Sequence, residues 1–258
     1  MENKVEAVIF DWAGTTVDFG CFAPVQAFTE VFREFGIEPT MEEVRKPMGM
    51  LKIDHIRTML SMDRIAGLWE TKYNRLSNEE DVQKMYEVYE SKLMSVLDQF
   101  TDVKPYVLDA ISKLRDHGIK IGSTTGYTDK MMAVVTEGAK AKGYDPDAWF
   151  SPDSVESKGR PYPYMVFKNM EALGVASVEN VVKVGDTVSD ILEGKHAGVM
   201  SVGVVEGSSE MGLSEEEYEA LSKEEKESLC EKVEKTFFEA GADAVIRNMS
   251  QLPALVLE

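Results

Sequence analysis

The segment V-I-F-D-W-A-G-T-T-V-D (residues 8–18) places one carboxylate where chemistry is easily arranged: an apolar run stops at Asp11, turns through a glycine and passes two threonines. An acid at the carboxyl end of a buried strand faces the crevice in which open α/β sheets bind ligands. Two places later stands Ala13, which cannot move a proton. A second reactive type lies in P-M-G-M-L-K-I-D-H-I-R-T-M-L (47–60). Helical spacing there puts Met48, Lys52, His55 and Met59 on one stripe, beside a more apolar stripe of Ile53, Ile56 and Leu60. A lysine among methionines that faces a cleft loses hydration, its pKa falls, and the free amine can attack a carbonyl. Taken alone, Lys52 reads as a solvated helix lysine. His55 reads either as a proton carrier beside the amine or as a packing histidine, and Cys21 as a small buried filler.

Such groups need elements to position them. Val5–Phe10, Ile119–Ser123, Val181–Val184, Val202–Val205 and Ala244–Ile246 are short apolar or β-branched runs bounded by turn residues, as buried parallel strands are. Between them lie helix-period segments at Tyr106–His117, Asp129–Lys142 and Pro161–Leu173, with Gly118, Gly143 and Gly174 where C-terminal caps belong. This alternation predicts a doubly wound, Rossmann-like parallel sheet. Pro24 to about Gln99 breaks it, offering helix patterns and no convincing strand. Ala23–Phe35 groups Val25, Phe28, Val31, Phe32 and Phe35 on one face, and Asp81–Leu97 does the same with Val82, Met85, Val88 and Tyr89. The expected organisation is an α/β core over 1–20 and 100–258 with an α-helical cap domain, 21–99, inserted over the carboxyl edge of the sheet. In the acidic stretch 208–235, Ser214 with Glu217 and Ser222 with Glu225 are spaced as capping boxes; it reads as an interaction surface or as an elaborated helical connection.

Composition narrows the function. The chain has 258 residues, enough for one large domain or two modest ones, and 43% hydrophobic with 29% charged residues is ordinary for a globular protein. No run approaches the ~20 apolar residues of a membrane span. The start, M-E-N-K-V-E-A-V-I-F, has no signal-peptide pattern, so a cytoplasmic location is expected. The two cysteines, Cys21 and Cys230, form no metal or redox spacing and are expected as thiols. A net charge of −18 without a local basic patch argues against nucleic acid or an anionic membrane as partner.

Four stretches fall at predicted strand ends or helix starts: D-W-A-G-T-T (11–16), S-T-T-G-Y (123–127), K-G-R-P-Y-P (158–163) and V-G-D-T-V-S-D (184–190). In that order they resemble the haloacid dehalogenase superfamily. The resemblance implies that Asp11 is a nucleophile toward phosphorus, forming an aspartyl phosphate. It implies Mg²⁺ as cofactor, held by Asp11, the backbone carbonyl of Ala13 and Asp186, with Asp190 in an outer position. Thr125 and the Gly126 amide would bind phosphoryl oxygens, and Arg160 would supply the positive charge where the superfamily usually has lysine.

Ala13 departs from the superfamily's phosphatases, which carry there a second Asp that protonates the leaving oxygen. General acid help of that kind contributes roughly 10²- to 10⁴-fold. A carbon leaving group needs delocalisation instead, into a cationic imine, and an imine needs a lysine. Ala13 together with Lys52 in G-M-L-K-I-D-H therefore resembles the carbon–phosphorus-cleaving branch, the phosphonatases. That resemblance implies hydrolysis of phosphonoacetaldehyde to acetaldehyde and phosphate, a small-molecule phosphonate as partner, a homodimer, and Cys21, Met48 and Tyr127 lining the pocket, with His55 assisting proton transfer. The rival readings are a phosphomonoester hydrolase or phosphomutase of the same superfamily, disfavoured by Ala13, and a non-catalytic protein keeping the fold, disfavoured because Asp11, Thr125, Arg160 and Asp186 all persist.

Overall fold

The computed structural model describes residues 5–257, so the first four residues and the last of the predicted core lie outside it. Strand β1 (Ala7–Phe10) is followed by five helices, α1 (Phe22–Glu34), α2 (Met41–Arg45), α3 (Lys52–Leu60), α4 (Asp63–Tyr73) and α5 (Glu79–Met94). The alternating part then begins, with α6 (Val107–Asp116), β2 (Lys120–Thr124), α7 (Asp129–Ala141), β3 (Ala148–Phe150), α8 (Tyr164–Leu173), β4 (Val181–Gly185), α9 (Val188–Ala197) and β5 (Met200–Val204). The acidic stretch forms α10 (Glu215–Ala220) and α11 (Lys223–Glu239), and β6 (Ala244–Ile246) and α12 (Leu252–Leu257) finish the chain. None of these helices is long and apolar enough to cross a membrane.

The six strands form one parallel sheet in the order β3-β2-β1-β4-β5-β6. The strand at its centre, β1, is buried along its whole length. Its side chains alternate between faces as a two-residue period requires: Val8 and Phe10 join one apolar cluster, Ala7 and Ile9 the other. The first cluster runs without a break from the sheet into the helices after β1, where Phe28, Ile56, Met59 and Trp69 are all buried in it. Both predicted capping boxes in the acidic stretch are present. Its helices turn Tyr218, Cys230, Val233 and Phe237 into a third cluster with Ile191 and Val205.

Five predicted strands are found, and the sixth, β3, had not been predicted. Its three residues are all half-buried and follow Asp and Pro, too short and too mixed to carry a period. The predicted stripe of Met48, Lys52, His55 and Met59 needs correction. Helix α3 begins only at Lys52, so Met48 lies in the preceding turn; Gly49 there has φ +85°, which breaks the helical path.

Candidate active site

The loop after β1 is built around one carbonyl. Thr15, Thr16 and Val17 all donate backbone N–H bonds to the Trp12 oxygen, at 3.1, 2.8 and 3.0 Å. This tight turn leaves Asp11 at the sheet edge, its own N–H bonded to Val184 of β4 at 2.9 Å. Gly14 is required there on two counts. Its φ is +87°, and a Cβ would stand 2.1 Å from Asp186 Oδ2. The space a side chain would take is thus filled by a carboxylate from the loop after β4.

Arg160 closes the far side. Its guanidinium reaches Asp11 Oδ1 at 2.6 Å, Asp190 Oδ1 at 3.0 Å and Glu193 Oε2 at 3.0 Å, and Nη2 donates to Thr124 Oγ1 at 2.8 Å. Burial opposes its charge, but the surrounding Asp11, Asp190 and Glu193 carboxylates hold its pKa above the ordinary arginine value. Asp190 also receives Lys183 Nζ at 2.6 Å and Thr187 Oγ1 at 2.6 Å. Burial works against its ionised form as well, yet Arg160 and Lys183 keep its carboxyl below the usual range.

Asp11, Asp186 and Asp190 bring one carboxylate oxygen each within 4.8 Å of one another, all buried. Asp186 is pushed well up, by burial first and then by the charges of Asp11 and Asp190. A buried excess of hard oxygen donors that raises the pKa of one of its members is what a divalent cation relieves. The residues therefore fit a site for Mg²⁺.

The pocket above these acids is lined by Ala13, Cys21, Met48, Lys52, Thr125, Gly126, Tyr127 and Arg160. Most of the residues singled out in the sequence thus meet in one cavity of about 20 Å³, room for roughly one water. Segment 48–52 forms its roof. A Cβ on Gly126 would lie 2.8 Å from the Met50 carbonyl oxygen, so backbone meets backbone there, and Ser189 Oγ donates to the Met48 carbonyl at 3.1 Å. Lys52 is buried, with Nζ 4.9 Å from the centre of the Tyr127 ring. Desolvation lowers its pKa against the opposing pull of the Asp11 charge.

His55 is not among the lining residues. It is fully buried, its ring stacked on Phe28 at 3.7 Å and Nε2 placed 2.9 Å from the Val44 carbonyl, with no partner for Nδ1. Burial and then the nearby Lys52 charge push its pKa well down, so it is a neutral imidazole. Cys21 lies in the pocket at the start of α1 with φ 55°, and burial raises its thiol pKa, so it is present as the thiol.

Several residues that shape the site were not singled out in the sequence. Thr15 Oγ1 donates to Asp186 Oδ1 at 2.8 Å, and the Ser209 N–H to Oδ2 at 2.7 Å. Glu193 and Lys183 complete the charge network around Arg160. Lys183 did leave a signal: a lysine within the apolar run V-V-K-V needs a buried acid, and Asp190 and Glu193 supply two. Lys104 bonds the Gly14 carbonyl and, at 2.8 Å, that of Glu206; burial brings its pKa to about 8.

Comparison with known proteins agrees with this geometry. Residues 5–198 match the haloacid dehalogenase-like hydrolase family. The chain is 56% identical, over 98% of its length and 94% of the other's, to a phosphonoacetaldehyde hydrolase of Lysinibacillus sphaericus. It is 52% identical, over 99% of its own length, to 40% of a bifunctional phosphonoacetaldehyde hydrolase/aminoethylphosphonate transaminase of Clostridioides difficile. Among solved structures, a phosphonoacetaldehyde hydrolase-like protein from Oleispira antarctica superposes with a TM-score of 0.95 at 41% identity, over 98% of this chain and 91% of that one.

Proposed function

The chain belongs to the haloacid dehalogenase-like hydrolases, and from that membership we propose that it cleaves the carbon–phosphorus bond of phosphonoacetaldehyde, giving acetaldehyde and phosphate. The names of its near relatives support the substrate. The observation that carries the chemistry is the meeting, in one pocket, of a buried lysine with lowered pKa, an aspartate at a strand end and, two residues after it, an alanine in place of a second acid.

In this reading the free amine of Lys52 adds to the aldehyde carbonyl, and the adduct takes up a proton from solvent and loses water, leaving a protonated imine. Asp11 attacks phosphorus, the C–P electron pair moves into the imine, and an enamine and an aspartyl phosphate result. Protonation of the enamine carbon and addition of water to the imine release acetaldehyde and restore the amine. A second water cleaves the aspartyl phosphate. Ala13 fits because the group that leaves phosphorus is carbon and not oxygen, so no acid is needed at its position. Asp190 and Glu193 hold Arg160 by Nη1 and Nε, and its Nη2 reaches Asp11, where a phosphoryl oxygen would arrive. Asp11, Asp186 and the Ala13 carbonyl would hold Mg²⁺, which when bound offsets the repulsion between carboxylate and phosphonate. The helical residues 21–99 act as a cap, with segment 48–52 lying over the pocket at the sheet edge.

The decisive experiment incubates the protein with phosphonoacetaldehyde and borohydride and locates the reduced adduct by mass spectrometry. A single adduct at Lys52 is expected. Its absence, with rapid turnover of simple phosphate esters, would reject the imine.

A further inference from the structure

Asp186 is fixed from two directions, by Thr15 on one oxygen and by the Ser209 N–H on the other. Thr15 belongs to the nucleophile loop itself. Ser209 belongs to the segment that leaves β5, and that segment is gripped by a side chain from the helical part of the chain. Arg45, the last residue of α2, donates from Nη1 to the Ser209 carbonyl at 3.1 Å and to the Gly20 carbonyl at 2.9 Å, with Ser209 Oγ at 3.4 Å. Nη2 lies 3.5 Å from the Gly212 carbonyl, and the guanidinium rests over the Phe22 ring at 5.2 Å. The Gly20 N–H in turn donates to the Gly207 carbonyl at 2.8 Å. One planar fork therefore joins the chain entering α1 to the segment that holds an acid of the cluster, a task that a lysine's single ammonium does less well.

We infer that Arg45 is a positioning residue that sets Asp186 through the Ser209 backbone, so that one side chain ties the chain entering α1 to the readiness of the acid cluster. The inference rests on the reading that Asp186 helps to hold a divalent cation. With Arg45 gone, the Ser209 carbonyl loses this donor, the segment is free to shift, and its N–H no longer fixes Asp186 Oδ2. Partners that orient a metal ligand in this way are worth roughly 10- to 100-fold in metal affinity. Lys52 does not depend on this path, because the roof over the pocket is also seated by the Ser189 bond to Met48 and by the contact of Gly126 with Met50.

The test compares the wild type with Arg45→Met and Arg45→Lys, using calorimetric titration with Mg²⁺ in the absence of substrate and borohydride trapping of phosphonoacetaldehyde at Lys52. Arg45→Met is expected to bind Mg²⁺ about tenfold more weakly or worse, Arg45→Lys to fall between, and trapping at Lys52 to persist in both. If Arg45→Met does not fold, as judged by its melting transition, weakened Mg²⁺ binding with intact trapping in Arg45→Lys supports the inference on its own. Unchanged Mg²⁺ affinity in the folded variants overturns it. So does a parallel loss of binding and trapping, which would make Arg45 only a clamp on the helices. Failure of the wild type to bind Mg²⁺ would overturn the metal reading and, with it, this one.

Discussion

The two sides of the pocket each present a cation, and the two are treated in opposite ways. Arg160 comes from the sheet side and Lys52 from the helical side, and each is only 4% exposed. Burial alone disfavours both charges. Arg160 is met by three carboxylates and its charge is locked in; Lys52 faces an aromatic ring and a thiol, and its pKa falls. Equal burial therefore decides nothing by itself, and the partners decide whether a buried base remains a fixed charge or becomes a nucleophile. A pocket with both can bind an anion on one wall and form a covalent bond on the other.

Making the two cations alike should destroy the function most completely. Lys52→Arg keeps a charge and most of the bulk but cannot form an imine, so turnover of phosphonoacetaldehyde is expected to fall by about 10⁴-fold or more. Phosphate release and borohydride trapping measure this, and substantial residual C–P cleavage would remove Lys52 as the electron sink. The reciprocal change, Arg160→Lys, keeps the charge and loses the fork that spans Asp11, Asp190 and Glu193. A loss of about 10²-fold in kcat/KM is expected, with trapping at Lys52 retained. Equal loss of both would mean that the two walls are not separable.

Smaller changes sharpen the contrast. Ala13→Asp adds a carboxylate to the pocket of Lys52, favours the ammonium and raises its pKa. The rising limb of the pH–rate profile should move to higher pH, with about tenfold less activity at neutral pH for each pKa unit. An unmoved limb would show that Lys52 does not govern it. The mildest test concerns stability. A buried lysine with lowered pKa binds fewer protons folded than unfolded, so it costs stability below its unfolded pKa and costs nothing above it. Lys52→Met should thus raise the melting midpoint, by on the order of 2–4 °C for about 1 kcal/mol of relief. The gain should shrink as pH rises toward the ordinary lysine value of 10.5. A gain independent of pH would assign the effect to packing.

What could be read in the sequence follows the same division. The sheet announced itself, because β1, β4 and β5 are runs of apolar residues broken by little else, and β6 was found at its observed bounds. Asp11 stood out by its position after such a run, whereas Thr125 and Asp186 came from the family resemblance of the loops that carry them. The helical side was legible as helix but not in detail: Gly49 interrupts the stripe that joined Met48 to Lys52, and the two share the pocket through a turn rather than a helix face. Least visible were contacts made by backbone groups, such as the Ser209 N–H on Asp186, because a main-chain donor leaves no residue type to notice. His55 shows the limit of spacing arguments, since its place one turn after Lys52 is as expected while its ring packs behind the pocket against Phe28.

The close approach of Gly126 to the Met50 carbonyl also bears on redesign. Where main chain lies against main chain, no side chain can be trimmed to make room. At that contact, room for a bulkier phosphonate would have to come from lengthening or re-routing the 47–51 turn.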